Sequence, residues 1–119
     1  MIDLHMHTVY SDGTNTCKEI LEKAQKNNLS YISITDHNNC GVYKELANPE
    51  IRNIFKGKII RGVELNTKIL GIPIEILGYD VDTEYINKNV SNIYISNKER
   101  NIIEVKRIYD ICIKNKIEV

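Results

Sequence analysis

Two histidines near the N-terminus, His5 and His7, have the spacing of side chains that share one face of a β-strand. On a strand over residues 2–8 their Cα atoms lie about 7 Å apart, so the imidazoles can chelate one metal ion or hold two neighbouring ions. Asp12 follows in a Ser-Asp-Gly sequence, whose turn-forming residues can fold its carboxylate back over the strand end. The segment predicts a metal site, with a strand carrying two ordinary histidines as the simpler alternative.

Further residues of metal-ligand type follow later strand-like segments. His37, the third histidine of the chain, comes directly after the run 29–35, and Glu64 lies near the C-terminal end of the run 58–66. In α/β folds, ligands collect at the C-terminal ends of the strands. Mixed imidazole and carboxylate ligands suit zinc, manganese or iron without choosing among them. The sequence therefore predicts a divalent-metal centre formed by His5, His7, Asp12, His37 and Glu64.

The elements that would deliver these side chains alternate between strand and helix, which is typical of an α/β fold with parallel strands wherever a helix intervenes. Thr16 as N-cap and Glu19 three residues later form a capping box at the start of the first helix. The last two strands are joined by a short connection and predict a hairpin. The predicted strands are 2–8, 29–35, 58–66 and 72–81, and the predicted helices are 17–28, 41–48, 49–55 and 83–115, with a break near Ser91 or Ser96 left open.

Composition and charge restrict the classes of partner that the chain is expected to bind. The 119 residues carry 16 Lys and Arg against 16 Asp and Glu, a formal net charge of zero. This balance offers no basic surface for a long nucleic acid, whereas a metal centre supplies its own positive charge for a small phosphorylated substrate. No apolar run approaches the roughly 20 residues of a membrane span, and no secretory signal is recognisable. We therefore expect neither a membrane nor a long nucleic acid as a partner.

The cysteines Cys17, Cys40 and Cys112 are odd in number and widely spaced, which argues against a disulfide framework and favours a reducing cytoplasm. Cys17 and Cys112 fall on predicted helices and fit inert positions. Cys40 lies three residues after His37, so a thiolate ligand is a minor alternative there.

The segments DLHMHTVYSDGT, SITDHN and RGVELNT, in this order and spacing, resemble the PHP (polymerase and histidinol phosphatase) family, and the later ILGYDVD is similar to its fourth motif. The resemblance covers most of the chain. It implies a (β/α)7 barrel with two or three metal ions at the strand C-terminal ends, and it assigns the five residues named above as metal ligands. Asp36, beside His37, is expected to orient a ligand rather than to bind an ion itself.

The chain also departs from the family pattern. Glu75 stands where family members commonly have histidine, so it is either a further metal ligand or a structural or surface glutamate. The family's later ligands, a further histidine and an Asp-x-His pair, have no counterpart in this sequence. Residues 1–119 are therefore expected to form the N-terminal portion of a single PHP domain, an incomplete (β/α)7 barrel of about four strands that holds fewer ions. Arg100 is a candidate for contacting substrate phosphate, with a solvated helix charge as the alternative.

The resemblance implies a metal-dependent phosphoesterase that hydrolyses a phosphomonoester, a nucleotide or a short-oligonucleotide phosphate with a metal-activated water. Two alternatives stay open: a non-catalytic metal-binding or structural PHP fragment, and the histidinol-phosphate phosphatase branch. Open barrel edges would expose apolar surface and favour a homo-oligomer.

Overall fold

The computed structural model describes residues 1–91 and 97–117, apart from the side chains of residues 97, 98 and 100. Within that part of the chain, strands and helices alternate up to a final pair of strands and are followed by two helices. The strands are β1 (Ile2–Met6), β2 (Tyr31–Ile34), β3 (Lys58–Ile69) and β4 (Ile72–Tyr79), and the helices are α1 (Cys17–Lys26), α2 (Val42–Glu45), α3 (Pro49–Arg52), α4 (Thr83–Asn89) and α5 (Asn97–Lys114).

The four strands form one sheet in the order β1-β2-β3-β4. The first three strands are parallel, because helices connect them, and β4 pairs antiparallel with β3. Leu70 and Gly71 form the tight turn of this hairpin with positive φ angles of 51° and 80°, the backbone that two-residue hairpin turns require. The predicted α/β class, with parallel strands and a terminal hairpin, is confirmed.

Helix α1 starts at the predicted capping box. The Glu19 backbone N–H donates to Thr16 Oγ1, and the Glu19 carboxylate accepts from the Thr16 backbone N–H at 2.8 Å. The buried face of the helix, spaced at three and four residues, carries Cys17, Ile20, Leu21 and Ala24. This face packs in one apolar cluster with Ile32 and Ile34 of β2 and with Phe55. Helix α1 thus covers part of one side of the sheet and packs against β2.

Several predicted boundaries differ by a few residues from the observed ones; strand β3, for example, runs to Ile69 instead of residue 66. Strand β1 ends at Met6, because the next residues turn away and the backbone N–H of Thr8 donates to the Asp36 carboxylate. The break that the sequence allows near Ser91 is present: the helix predicted over 83–115 is interrupted after Asn89, where the Ser91 hydroxyl lies within hydrogen-bonding distance of the Ile86 carbonyl. Such local side-chain hydrogen bonds compete with helical ones. Residues 92–96, which include Ser96, lie outside the described part of the chain.

Apolar side chains on α5 are exposed, among them Ile102, Val105 and Tyr109. Together with the open edges of β1 and β4, they are compatible with the expected homo-oligomer, which stays a prediction. None of the described helices combines the length and the apolar character needed to cross a bilayer.

Replacing Thr16 with alanine removes one half of the capping box, so we expect the free energy of unfolding to fall by about 1 kcal/mol. Chemical denaturation followed by circular dichroism measures this change. Thr14→Ala is the matched control, since Thr14 is also exposed and its side chain makes no hydrogen bond within the described residues. An equal loss in both variants would contradict the capping role.

Candidate metal centre

The C-terminal ends of β1 and β2 bring the three histidines together. The pairing of the two strands is irregular between Asp3 and Met6, yet the imidazoles still face one region. The ring centroids of His5 and His7 lie 5.1 Å apart, and those of His7 and His37 lie 4.6 Å apart. The geometry thus gathers imidazoles from two segments that are about thirty residues apart along the chain.

Backbone hydrogen bonds join the segment just after β2 to strand β3, and they fix the position of His37 relative to Glu64. The two residues form a parallel bridge. Glu64 N–H donates to the Asp36 carbonyl at 3.2 Å, and Asn38 N–H donates to the Glu64 carbonyl at 2.9 Å. Because the backbone N–H and carbonyl of Glu64 are both hydrogen-bonded, its side chain has a fixed starting point next to the imidazoles.

The side chain of Glu64 is 7% exposed, and its Oε2 atom is the point where the imidazoles converge. Oε2 lies 2.9 Å from His5 Nε2, 2.9 Å from His7 Nε2 and 3.7 Å from His37 Nε2. Two ligand atoms bound ~2.1 Å from one tetrahedral ion are about 3.4 Å apart. The observed spacings are therefore close to those around a common cation. His5 is 48% exposed, so the cluster opens to solvent on that side.

Asp12 closes the other side of the cluster. Its Oδ1 lies 3.0 Å from His7 Nδ1, and its Oδ2 lies 3.3 Å from His37 Nε2. The short approach to His7 lacks hydrogen-bond geometry, and Nδ1 is a buried nitrogen without a hydrogen-bond partner in the described part of the chain. An unsatisfied buried polar atom costs about 1–3 kcal/mol. A cation between imidazole and carboxylate would remove that cost, so the donor set fits a divalent metal ion.

A buried carboxylate, Asp36, holds the loop that carries Asp12. Thr8 donates to it from its backbone N–H at 2.7 Å and from its hydroxyl at 2.6 Å, and the Ser11 hydroxyl donates at 2.6 Å. Gly13 then passes so close to the His7 carbonyl that an added Cβ would collide with it. Asp36 therefore positions the loop between His7 and Asp12, and its expected role in orienting a ligand stays a prediction.

Three overlapping groups have ligand atoms within 4.8 Å of one another: His5, His7 and Glu64; His7, Asp12 and His37; and His37, Glu64 and Glu75. All five residues predicted as ligands thus lie in one cluster, and Glu75 joins it from β4. Glu75 reaches the cluster because it pairs with Asn66 across the hairpin, two residues beyond Glu64 on the same face of β3.

Cys40 belongs to none of the ligand groups found among the described residues. The Cys40 thiol is buried and faces the Gly62 carbonyl, and burial raises its pKa to about 12, which disfavours the thiolate form that binds metals. Arg100 belongs to α5, and its side chain lies outside the described part of the chain. Its contact with a substrate phosphate stays a prediction.

One contact beside the centre was missed by sequence reasoning. His37 Nδ1 lies 2.7 Å from Asn66 Oδ1, so the imidazole has an amide partner on the side away from Asp12. The signal was present in the sequence, since Asn66 lies two residues after Glu64 and therefore on the same face of a strand.

Comparison with known proteins gives a consistent assignment. A family model for the PHP domain matches residues 3–118, which confirms the resemblance drawn from the motifs. The PolC-type DNA polymerase III of Clostridium perfringens is 34% identical over 112 residues, which are 87% of this chain and 7% of that protein. The 5'-3' exoribonuclease Rnm of Escherichia coli is 30% identical over 80 residues, which are 67% of this chain and 27% of Rnm.

Solved structures agree on the fold. A protein from Bifidobacterium adolescentis named as a metal-dependent phosphoesterase superposes with a TM-score of 0.66 at 28% identity, covering 76% of this chain and 32% of that one. An amidohydrolase from Chromobacterium violaceum, with bound sulfate and no metal, gives a TM-score of 0.66 at 26% identity, covering 77% of this chain and 32% of its own. The chain spans about a third or less of the length of these relatives.

Replacing Asp36 with alanine leaves three donors of the loop without their acceptor, so we expect the free energy of unfolding to fall by about 3 kcal/mol. Ser11→Ala removes one of these hydrogen bonds and should cost about 1 kcal/mol. Urea denaturation of both variants checks the order. If Asp36→Ala were no less stable than Ser11→Ala, the carboxylate would not be what holds the loop.

Proposed function

This chain belongs to the PHP domain family, and from that premise we propose that its cluster of imidazoles and carboxylates is the metal centre of a phosphoesterase. The proposed reaction is the hydrolysis of a phosphomonoester, a nucleotide or a short-oligonucleotide phosphate. The observation that carries the proposal is the convergence of three imidazole Nε2 atoms on one oxygen of Glu64.

The residues proposed to hold divalent ions are His5, His7, Asp12, His37, Glu64 and Glu75. His7, His37 and Glu64 each belong to two of the three ligand groups, so the cluster has the connectivity needed for more than one ion. Zinc, manganese and iron all suit this mixture of nitrogen and oxygen donors. Bound ions of this kind lower the pKa of water and neutralise charge that develops on a phosphoryl group.

The negative charge of the cluster indicates that a phosphorylated substrate would need the bound ions in order to bind. Asp12, Glu64 and Glu75 contribute three carboxylates, which would repel a phosphate in the absence of cations. The open side near His5 gives such a substrate access from solvent. The sulfate bound to the Chromobacterium violaceum relative is a tetrahedral dianion like phosphate, and Rnm is named as a ribonuclease. Of these two relatives, Rnm supports a phosphate ester as the substrate class, whereas the Chromobacterium violaceum protein is named as an amidohydrolase.

Two broader assignments belong to the same proposal. The free state of all three cysteines supports a cytoplasmic location. The open four-stranded sheet supports residues 1–119 as the N-terminal portion of a single PHP domain. The expected exclusion of a long nucleic acid gains no support, because a DNA polymerase and a ribonuclease are among the relatives.

Hydrolysis by the purified chain tests the proposal. With manganese or zinc present, we expect release of phosphate from p-nitrophenyl phosphate, a nucleoside monophosphate or a short oligonucleotide, and a loss of at least about 100-fold in His7→Ala, since ligand removal costs several kcal/mol. Glu84→Gln is the matched control, because Glu84 is an exposed carboxylate of α4. Hydrolysis that survives His7→Ala unchanged would come from a contaminant.

The same assay separates the alternatives. Faster turnover of histidinol phosphate than of nucleotide phosphates would place the chain in the histidinol-phosphate phosphatase branch. Metal binding without hydrolysis of any substrate would identify a non-catalytic metal-binding module.

The role of Glu75 has its own test, since it either binds an ion or lies beside the centre as an ordinary glutamate. If it is a ligand, Glu75→Gln weakens manganese binding at least about tenfold, because a neutral amide is a poorer ligand than a carboxylate. Isothermal titration with manganese measures the change, with Glu84→Gln again as the control. Unaltered binding in Glu75→Gln would remove Glu75 from the ligand set.

A further inference from the structure

Two asparagines border the cluster without belonging to any of its ligand groups. Asn66 lies on β3, where its Oδ1 is 2.7 Å from His37 Nδ1. Asn38 follows His37, and its Oδ1 accepts the backbone N–H of Asn66 at 2.9 Å. The two amides therefore link the end of β2 to β3 next to the imidazole.

The contact with Asn66 lies on the Nδ1 side of the His37 ring. Nε2 faces the carboxylates of Asp12 and Glu64 at 3.3 Å and 3.7 Å, so it is the nitrogen directed into the cluster. A neutral imidazole binds a metal through its unprotonated nitrogen and carries its proton on the other one. The proton on Nδ1 then needs an acceptor, and the oxygen of the Asn66 amide is in position to provide it.

The same carboxylates would otherwise favour the opposite tautomer. An Nε2–H group could donate to Asp12, which would leave no lone pair directed at the centre. An acceptor on the Nδ1 side offsets this tendency and also fixes the rotation of the ring. Partners of this kind behind a histidine ligand typically contribute a factor of 10–100 in metal affinity.

The backbone that carries the Asn66 side chain is held on two sides. Its backbone pairs with Glu75 on one side and receives the Asn38 side chain on the other. Asn38 adopts a left-handed backbone with a φ of 47°, a conformation that asparagine tolerates better than most residues. The sequence Asp-His-Asn after β2 and Glu-Leu-Asn in β3 thus supplies His37 and Glu64 together with the two asparagines that link their segments.

We propose that Asn66 is a positioning residue that keeps the proton of His37 on Nδ1 and so directs the lone pair of Nε2 into the metal centre. The inference rests on the proposed metal-binding function for its consequence, whereas the tautomer itself can be measured without metal. Asn66 acts through His37 and needs no contact with an ion or a substrate.

The first experiment compares His37 in the metal-free wild type, Asn66→Leu and Asn66→Asp by long-range 15N–1H NMR, about two pH units above the ordinary imidazole pKa of ~6.5. Leucine removes the acceptor, so we expect the ratio of the Nδ1–H to the Nε2–H tautomer to fall about fivefold, the equivalent of one neutral hydrogen bond. Aspartate keeps an oxygen acceptor and should preserve the wild-type ratio. A ratio unchanged in Asn66→Leu would overturn the proposal.

The second experiment measures zinc affinity of the same variants by competition with a chromogenic chelator. We expect the dissociation constant to rise 10–100-fold in Asn66→Leu and to stay within about threefold in Asn66→Asp. Asn53→Leu is the matched control, since Asn53 is exposed and its side chain makes no hydrogen bond within the described residues. Asn38→Ala tests whether zinc affinity falls merely because the link between β2 and β3 is loosened. This variant removes the Asn38 side chain and leaves the side-chain amide of Asn66 in place.

The outcomes are distinguishable. A tautomer shift in Asn66→Leu supports the positioning role of Asn66 whether or not the wild type binds zinc. A wild type that binds no zinc would refute the proposed metal centre, not the positioning role. Weakened zinc binding in Asn66→Leu and Asn66→Asp alike, with the tautomer unchanged, would overturn the positioning role and leave Asn66 as a structural residue.

Discussion

A buried carboxylate oxygen surrounded by three imidazoles is the constraint around which the rest of the site is arranged. Glu64 Oε2 has the Nε2 atoms of His5, His7 and His37 within 3.7 Å, so one carboxylate oxygen is surrounded by three ring nitrogens of metal-ligand type. Such a cluster is costly to bury in the absence of a cation. The fold tolerates it at the rim of the sheet, where a divalent ion can balance the carboxylates and solvent can enter beside His5.

The positions of these side chains depend on contacts between segments that are distant in the sequence. The Asp36 carboxylate holds the loop after β1, and the backbone bridge between His37 and Glu64 aligns the ends of β2 and β3. The apolar packing of α1 against β2 keeps both strand ends in register. Binding of an ion would therefore stabilise the same contacts that create its site, since binding that favours the folded state adds to stability.

Local patterns in the sequence predicted the elements well and the supporting contacts poorly. Alternation and capping indicated the strands, α1 and the hairpin, and the spacing of His5 and His7 indicated a common face. The loop-holding role of Asp36 and the pairing of Asn66 with His37 join residues 25 to 29 positions apart, and such contacts leave no periodic signal. The Ser and Asn residues indicated a possible break near Ser91, and the helix ends at Asn89, but its exact position depends on a competition between hydrogen bonds that helical periodicity does not register.

Metal content of the purified chain tests the central claim most directly. After equilibration with zinc, manganese or iron and removal of the excess, elemental analysis should find about one or more divalent ions per chain in the wild type. The double variant His5→Ala/His7→Ala, which loses two of the converging imidazoles, should retain almost none. No ion in the wild type, or equal amounts in both proteins, would contradict the assignment of this cluster as a metal centre.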